Sequence, residues 1–183
     1  MRIFILIFFF LFQNSVNASV KSKIVSNLKL TENLKFNFIQ KIGKKIEEGE
    51  CIVSYPKKIF CKYNDRYNKI LVSNGKSLVI NSDRSNQYYR YQLDKTPLNL
   101  ILDKNFLIKK IYKLNERIID GNLINYTIKE KDYEISIFFD KQNYNLVGWQ
   151  NVDMYQNFNI TFISGIRKNR LISKNLFKIP TRN

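Results

Sequence analysis

The sequence contains no histidine. Histidine is the usual general base, the usual activator of a serine or cysteine nucleophile and the commonest zinc ligand. The two cysteines alone cannot close a structural zinc site, and neither a Walker loop nor a GxGxxG pattern offers a cradle for nucleotide phosphates. These absences exclude the commonest hydrolase and nucleotide-binding chemistries. We therefore expect neither a metal ion nor a cofactor.

Carboxylates are the remaining route to catalysis. A glycosidase needs only two Asp or Glu side chains that face each other across a cleft. The candidates all lie at predicted turns, namely Glu47, Glu48 and Glu50 beside Gly49, and Asp132 with Glu134. Solvated turn charges explain them better than a catalytic pair does. We expect the protein not to be an enzyme, and a small exported carboxylate-dependent hydrolase remains the alternative.

Long hydrophobic runs are also scarce. The continuous apolar run Ile3–Phe12 is too short to span a bilayer, which needs roughly 20 residues. Together with the small residues of Val16–Ala18, it predicts a signal peptide over residues 1–18 and an exported chain over residues 19–183. An acylated lipoprotein needs a cysteine directly after the cleavage site, whereas the first cysteine here is Cys51. We therefore expect an exported protein without a lipid anchor.

Acidic residues are few compared with basic residues. The chain has 31 Lys and Arg residues against 15 Asp and Glu, a formal net charge of +16. Such an excess suits an acidic partner, such as phospholipid headgroups, nucleic acid or an acidic protein surface. The basic residues are scattered singly, in a Lys-, Asn- and Ile-rich composition typical of an AT-rich genome. Because tracking of nucleic-acid phosphates needs clustered charge, we expect no nucleic-acid partner.

Hydrophobic periodicity predicts one domain made mostly of strands. Apolar residues at helical spacing, including Ile24 and Leu28, predict a short helix from Ser19 to about Asn33. Alternating apolar and polar residues then predict about ten strands whose turns recur as in an antiparallel meander. The Asn74-Gly75 pair, for example, suits a tight hairpin turn.

A more apolar segment interrupts this pattern at residues 96–114. Thr96 is predicted to cap a helix that has Pro97 in its first turn, and Asn105 to cap a second helix after a break at Asp103. These helices would cover the apolar face of the sheet. The pattern alone fits a filled core and a lipid cavity equally well.

The two cysteines lie at positions symmetric about Pro56, so a hairpin turn there would place Cys51 opposite Cys61. In an oxidising compartment this arrangement favours a cross-strand disulfide, which would stabilise the fold by about 2 to 3 kcal/mol. Two reduced, buried cysteines are the alternative.

A series of short motifs runs along nearly the whole exported chain. They are Phe38-Ile39-Gln40, Gly49 leading to Pro56, Val72–Lys76, Thr96-Pro97 with Leu100–Leu102, Phe139-Asp140, Leu146–Trp149, Thr161–Ile163, and Leu176-Phe177 with Pro180. Each motif is weak alone, while their order is more specific. Together they resemble the periplasmic outer-membrane lipoprotein carrier family, LolA.

The resemblance implies an α+β fold: an incomplete, half-open antiparallel β-barrel with an N-terminal helix and short helices that lid an apolar cavity. It implies a monomeric periplasmic carrier that takes the acyl chains of outer-membrane lipoproteins from an inner-membrane release complex and hands them to an outer-membrane receptor. Residues 97–112 would form the lid. The cavity and lid residues expected to bind lipid are Phe36, Phe38, Leu98, Leu102, Phe106 and Ile111.

One departure from the family pattern concerns the lid. Many members carry an arginine just after the proline turn that hydrogen-bonds the lid shut, and that position is assigned here to Phe60. Either another residue latches the lid or packing alone closes it. A carrier of the same fold for another lipid, such as a glycolipid or a free phospholipid, is the nearest alternative function.

Overall fold

The computed structural model describes residues 18–130, 133–152 and 158–181. Most of the predicted signal peptide and Asp132, which was predicted to lie at a turn, are therefore outside the described residues. The helices are α1 (Val20–Leu30), α2 (Leu98–Leu102) and α3 (Lys104–Lys113). The strands are β1 (Asn33–Ile42), β2 (Lys45–Ser54), β3 (Lys58–Tyr63), β4 (Lys69–Asn74), β5 (Ser77–Ser82), β6 (Gln87–Gln92), β7 (Arg117–Ile119), β8 (Leu123–Glu130), β9 (Tyr133–Asp140), β10 (Leu146–Val152) and β11 (Phe158–Lys168).

All eleven strands belong to one antiparallel sheet, in the order β6-β5-β4-β3-β2-β1-β11-β10-β9-β8-β7. The first strand pairs with the last, so the two halves of the chain join at the centre of the sheet. The outer strands β6 and β7 do not pair with each other, which leaves the barrel open. The predicted α+β, half-open antiparallel barrel is confirmed, with eleven strands in the described residues in place of about ten.

Helix α1 begins at the N-cap Ser19, whose hydroxyl accepts a hydrogen bond from the Ser22 N–H at 3.2 Å. Its buried side chains are Ile24, Val25 and Leu28. The helix ends earlier than predicted, because Thr31 adopts extended backbone geometry and its N–H bonds to the Leu28 carbonyl. The chain can then enter β1 at Asn33.

The lid helices are capped differently from the prediction. Thr96 does not cap α2; its hydroxyl donates to the Leu93 carbonyl oxygen at 2.8 Å. Asp103, not Asn105, is the N-cap of α3, and its carboxylate accepts the Phe106 N–H at 3.0 Å. A charged carboxylate in the break between the helices satisfies the first turn of α3 and favours its positive N-terminal end.

The β2–β3 hairpin turns through the three residues between Ser54 and Lys58 and places Cys51 directly opposite Cys61. The two sulfurs form a disulfide. Both cysteines are buried on the concave side of the sheet, where the bridge ties β2 to β3.

Close backbone packing at Gly49 curves this part of the sheet. A Cβ atom there would lie 2.1 Å from the Lys62 carbonyl oxygen and 2.9 Å from the Tyr63 Cα. The missing side chain also lets Phe38 and Tyr63, on either side of Gly49, meet edge to face with ring centroids 5.0 Å apart. Only glycine fits this position.

We predict that Gly49→Ala lowers the free energy of unfolding by about 1 to 3 kcal/mol or more, because the clashing atoms belong to backbone that cannot move freely. Urea denaturation measures the change. The control is Glu48→Ala, which changes an exposed residue on the opposite face of β2. Equal stability of the two variants would contradict this account of the curvature.

Candidate functional site

A cavity of about 430 Å³ lies on the concave side of the sheet, beneath α2. Its walls come from β1 to β5 on one half of the barrel and from β10 and β11 on the other. Most of the wall is apolar. The apolar lining comprises Phe38, Ile42, Cys51, Ile59, Cys61, Tyr63, Leu71, Leu78, Ile80, Pro97, Leu98, Ile101 and Trp149.

The strand register orders these side chains in rows along the barrel. Near α2, the first row across β2 and β3 pairs Val53 with Ile59, and the next pairs Cys51 with Cys61. Farther from the lid, the row at Phe38 and Gly49 is followed by one that pairs Gln40 with Glu47. The wall therefore changes from apolar to polar along the barrel axis.

Three polar residues of β1 and β11 form one side of this polar end. The Gln40 side-chain amide donates to the Asn159 Oδ1 at 2.9 Å and to the Thr161 Oγ1 at 3.1 Å. Both acceptors line the cavity with Gln40. The two bonds hold the amide in a fixed orientation at the wall.

A charged cluster of β2 and β4 forms the other side. The Glu47 carboxylate contacts the Nζ atoms of Lys45 and Lys69, each at 2.5 Å. The Lys69 Nζ also lies 3.7 Å from the centre of the Tyr63 ring, within reach of a cation–π interaction. Burial raises the pKa of the Glu47 carboxyl, but hydrogen bonds from Lys45 and Lys69 outweigh burial and leave this pKa below its ordinary value. Glu47 is therefore ionised at neutral pH.

The lid is fastened to the proline turn by Lys57. The Lys57 N–H donates to the Leu102 carbonyl oxygen at 2.9 Å, and its Nζ forms an ion pair with Asp103 at 3.3 Å. The buried Ser73 hydroxyl in turn donates to the Lys57 carbonyl oxygen at 3.1 Å. The same carboxylate that caps α3 thus also joins the lid to the barrel.

Phe60, assigned above to the family's latching position, lies on the outer face of β3. Its neighbours in the strand, Ile59 and Cys61, line the cavity instead. The C-terminal turn Lys174–Phe177 packs near β3 and β4, and Phe177 is buried. Phe60 therefore points away from the lid, and Lys57 supplies the polar contact to it.

Further contacts hold the ends of the lid segment. The Lys104 Nζ donates to the Thr31 carbonyl oxygen at 2.8 Å, and Lys110 forms an ion pair with Glu130. The Lys21 Nζ donates to the Leu114 carbonyl oxygen at 2.7 Å. These contacts tie α3 to α1 and β8, whereas α2 is held to the barrel mainly through Lys57 and its own apolar side chains.

The structure places the six residues predicted to bind lipid in two different settings. Phe38 and Leu98 line the cavity. Phe36, Leu102 and Ile111 are buried in the adjoining core, and Phe106 packs against that core while partly exposed.

Sequence reasoning missed most of the wall. Leu71 and Ile80 are opposite each other in the β4–β5 pair, in the same row as Cys61. The β4–β5 turn is centred on Gly75 and Lys76, so counting outward from the predicted Asn74-Gly75 turn would have paired Leu71 with Leu78 and not with Ile80. Trp149, the chain's single tryptophan, faces Thr161 across β10 and β11.

The carboxylates do not assemble into a catalytic pair among the residues described. Glu47, Glu48 and Glu50 lie within β2 and not in a turn, so that prediction was wrong. Glu48 and Glu50 are exposed on the opposite face from Glu47. Asp132 lies outside the described residues, and Glu134 forms an exposed ion pair with Lys129.

The described residues contain neither a metal-binding cluster nor a helix suited to span a membrane. Within the described residues, no cluster of three or more Cys, Asp or Glu side chains has a spacing that would hold a metal ion. None of the helices described there has both the length and the hydrophobicity that a membrane span requires.

Solved structures with a similar fold include an uncharacterized conserved protein from Thermus thermophilus, at 8% identity and a TM-score of 0.53, over 88% of this chain and 92% of that chain. A LolA superfamily protein from Nitrosomonas europaea aligns at 8% identity and a TM-score of 0.47, over 88% and 99% of the two chains. The Mycobacterium tuberculosis lipoprotein LppX aligns at 11% identity and a TM-score of 0.46, over 84% of this chain and 98% of that chain. A search of curated protein sequences found no match.

The fold and the lidded cavity define the class of half-open antiparallel barrels whose helices cover an apolar cavity. Within that class, the chain belongs to the family described as outer membrane lipoprotein carrier protein LolA, whose sequence profile matches residues 29–180. The family resemblance inferred from the motifs is confirmed. Membership indicates a periplasmic carrier or binding protein of lipids or lipoproteins.

We predict that Lys57→Met loosens the lid, because it removes the ion pair to Asp103 while keeping the length of the side chain. A partly exposed pair of this kind contributes up to about 1 kcal/mol, so opening of α2 should become up to about fivefold more frequent. Hydrogen exchange of the α2 amides measures this opening. Lys129→Met is the control, since it breaks an exposed ion pair on β8; equal α2 exchange in both variants would contradict the latch.

Proposed function

We propose that the protein is a periplasmic carrier that binds the acyl chains of lipoproteins released from the inner membrane and delivers them to an outer-membrane receptor. The observation that carries the proposal is the apolar cavity beneath α2 in a chain of the LolA family. In this proposal residues 1–18 are removed on export, and residues 19–183 act as a single monomeric domain.

The cavity supports chain binding through its size and its lining. Its volume of about 430 Å³ falls within the range of roughly 300 to 1,000 Å³ typical of small-ligand sites. Each methylene that enters the apolar part is stabilised by about 0.8 kcal/mol. Sequestering part of an anchor is enough to keep it in solution, while incomplete burial lets a better acceptor remove it.

The lid supports a cycle of loading and release. An anchor with two or three acyl chains needs more room than the closed cavity offers, so α2 has to move outward during loading. The polar fastening of α2 at Lys57 is small and partly exposed, and a ligand's apolar contacts can replace it. Leu98 and Ile101, which α2 contributes to the wall, would then contact the bound chains.

The basic surface supports encounters with the proposed partners. A formal charge of +16 attracts the protein to anionic membranes and to acidic faces of a release complex or receptor. Such attraction accelerates association more than it strengthens the final complex.

We predict that the purified protein, added to inner-membrane vesicles that contain the release complex, labelled lipoprotein and ATP, brings lipoprotein into the soluble fraction as a one-to-one complex. Gel filtration of the supernatant, followed by detection of the label, measures the complex. Soluble lipoprotein absent under these conditions, with other acyl lipids still bound, would overturn the lipoprotein assignment.

We also predict that Leu98→Glu reduces recovery of this complex about tenfold or more, because a carboxylate in the apolar wall disfavours chain binding. The same release assay measures the loss. Tyr112→Glu adds the same charge to an exposed position of α3 and should leave recovery unchanged. Equal recovery by both variants would count against chain binding beneath α2.

A further inference from the structure

The polar end of the cavity holds several polar side chains that are paired with one another and that acyl-chain binding does not use. Its cationic side is formed by Lys45 and Lys69 around Glu47, and its amide side by Gln40 and Asn159. All five side chains line the same space as the apolar wall. The cavity therefore has one apolar end and one polar end.

Two members of the charged cluster are largely withdrawn from solvent, whereas Lys45, whose side chain is 69% exposed, lies at its rim. The side chain of Glu47 is 10% exposed and that of Lys69 is 17% exposed. An ion pair in such a position adds little net stability, since desolvation of both charges offsets their attraction, and apolar residues would close the barrel as well. Stability alone does not account for charges at this place.

The cluster has more positive than negative charge. Lys45 and Lys69 share one carboxylate, so two ammonium groups stand against a single negative charge. Lys69 is further held by the face of the Tyr63 ring. A second anion that reaches the cluster from the cavity would complete the charge balance and accept charge-assisted hydrogen bonds in a site partly shielded from water.

The amide side adds orientation. Because the Gln40 amide donates to both Asn159 and Thr161, these residues form a hydrogen-bonded wall beside the charged cluster, with Gln40 next to Glu47 in the β1–β2 pair. Such a wall suits the uncharged polar part of a headgroup.

We propose that the cavity binds anionic amphiphiles, with the acyl chain beneath α2 and a phosphate or carboxylate headgroup at Lys45 and Lys69. The inference rests on the proposed acyl-chain binding but extends beyond lipoprotein delivery to free anionic lipids. The direction of the ligand follows from the wall, which is apolar at Ile59 and Leu78 and polar at Gln40 and Glu47.

Trp149 provides the readout, because it lines the cavity and is the only tryptophan in the chain. Its fluorescence is titrated with two brominated monoacyl lipids of identical chain, one a neutral monoacylglycerol and the other carrying a phosphate monoester. Inorganic phosphate is titrated separately by calorimetry. All titrations use monomeric lipid.

The expected result is quenching by both lipids, with at least about tenfold tighter binding of the phosphate lipid, as hydrogen bonds to charged groups predict. In Lys69→Gln this preference should be lost, so that the ratio of the two affinities falls to about one. Glu47→Gln should strengthen the preference, because it removes the competing carboxylate, and a merely structural ion pair would not produce that gain.

Because either single change can destabilise the barrel, the triple variant Lys45→Gln/Glu47→Gln/Lys69→Gln, which leaves no member of the cluster charged, is measured as well. It should bind the two lipids with affinities that differ much less than in the unmodified protein. Lys129→Gln, which removes an exposed charge on β8, is the matched control and should keep the full preference.

Four outcomes would overturn the inference. Equal affinity for both lipids would remove the headgroup site and leave chain binding intact. A full preference retained in the triple variant would move the site elsewhere. Inorganic phosphate that binds as tightly as the phosphate lipid would show that the acyl chain contributes nothing. Absence of quenching by either lipid would overturn chain binding itself, and with it the proposed function.

Discussion

The pairing of β1 with β11 is the interaction on which the rest of the structure depends. It runs from Leu34 and Lys168 at one end to Ile42 and Asn159 at the other, and it joins strands β1–β6 to strands β7–β11 in one sheet. The cavity needs both halves, because Phe38 and Gln40 face it from β1 while Thr161 and Trp149 face it from β11 and β10. Without this pairing the chain would have two open sheets with no shared concave side.

The curvature that gives this sheet an inside comes from positions where side chains are absent. Gly49 brings the β2 and β3 backbones too close for any Cβ atom, and Gly148 does the same against the Thr161 carbonyl oxygen on β11. A shift of register opposite Lys35 and Asn37, where β11 has one residue more than β1, adds a bend on β11. The sheet curls at these points but does not close, and the lid helices cover part of the remaining opening.

Much of the fold was predictable because the relevant signals are local. Alternation of apolar and polar residues located the strands, and the symmetry of the sequence about Pro56 placed Cys51 opposite Cys61. Helix caps were less predictable. Asp103 was read only as a break between helices, since its role depends on a carboxylate reaching Phe106 and Lys57 simultaneously, and the second contact comes from a distant part of the chain.

The candidate site was predictable only in part. Apolar character alone does not distinguish Phe36, which is buried in the core, from Phe38, which faces the cavity one row farther along β1. Both are buried aromatic residues two positions apart on one face of β1, so the alternation pattern treats them alike. The polar end was missed for another reason: Glu47 was assigned to a turn, whereas its position in β2 turns it inward toward Lys69.

The same β1–β11 pairing also shapes how the chain acquires its structure. Long-range pairing of this kind slows folding, because a large loop must close before the contact forms. Strands β1–β6 can pair with their sequence neighbours as soon as they are synthesised, whereas β1 keeps one unpaired edge until the last strand is made. Outward-facing lysines such as Lys35 and Lys41 are the type of residue that protects such an edge from pairing with another chain. The edge of β1 that lies at the centre of the finished sheet is thus the edge that stays exposed until folding is complete.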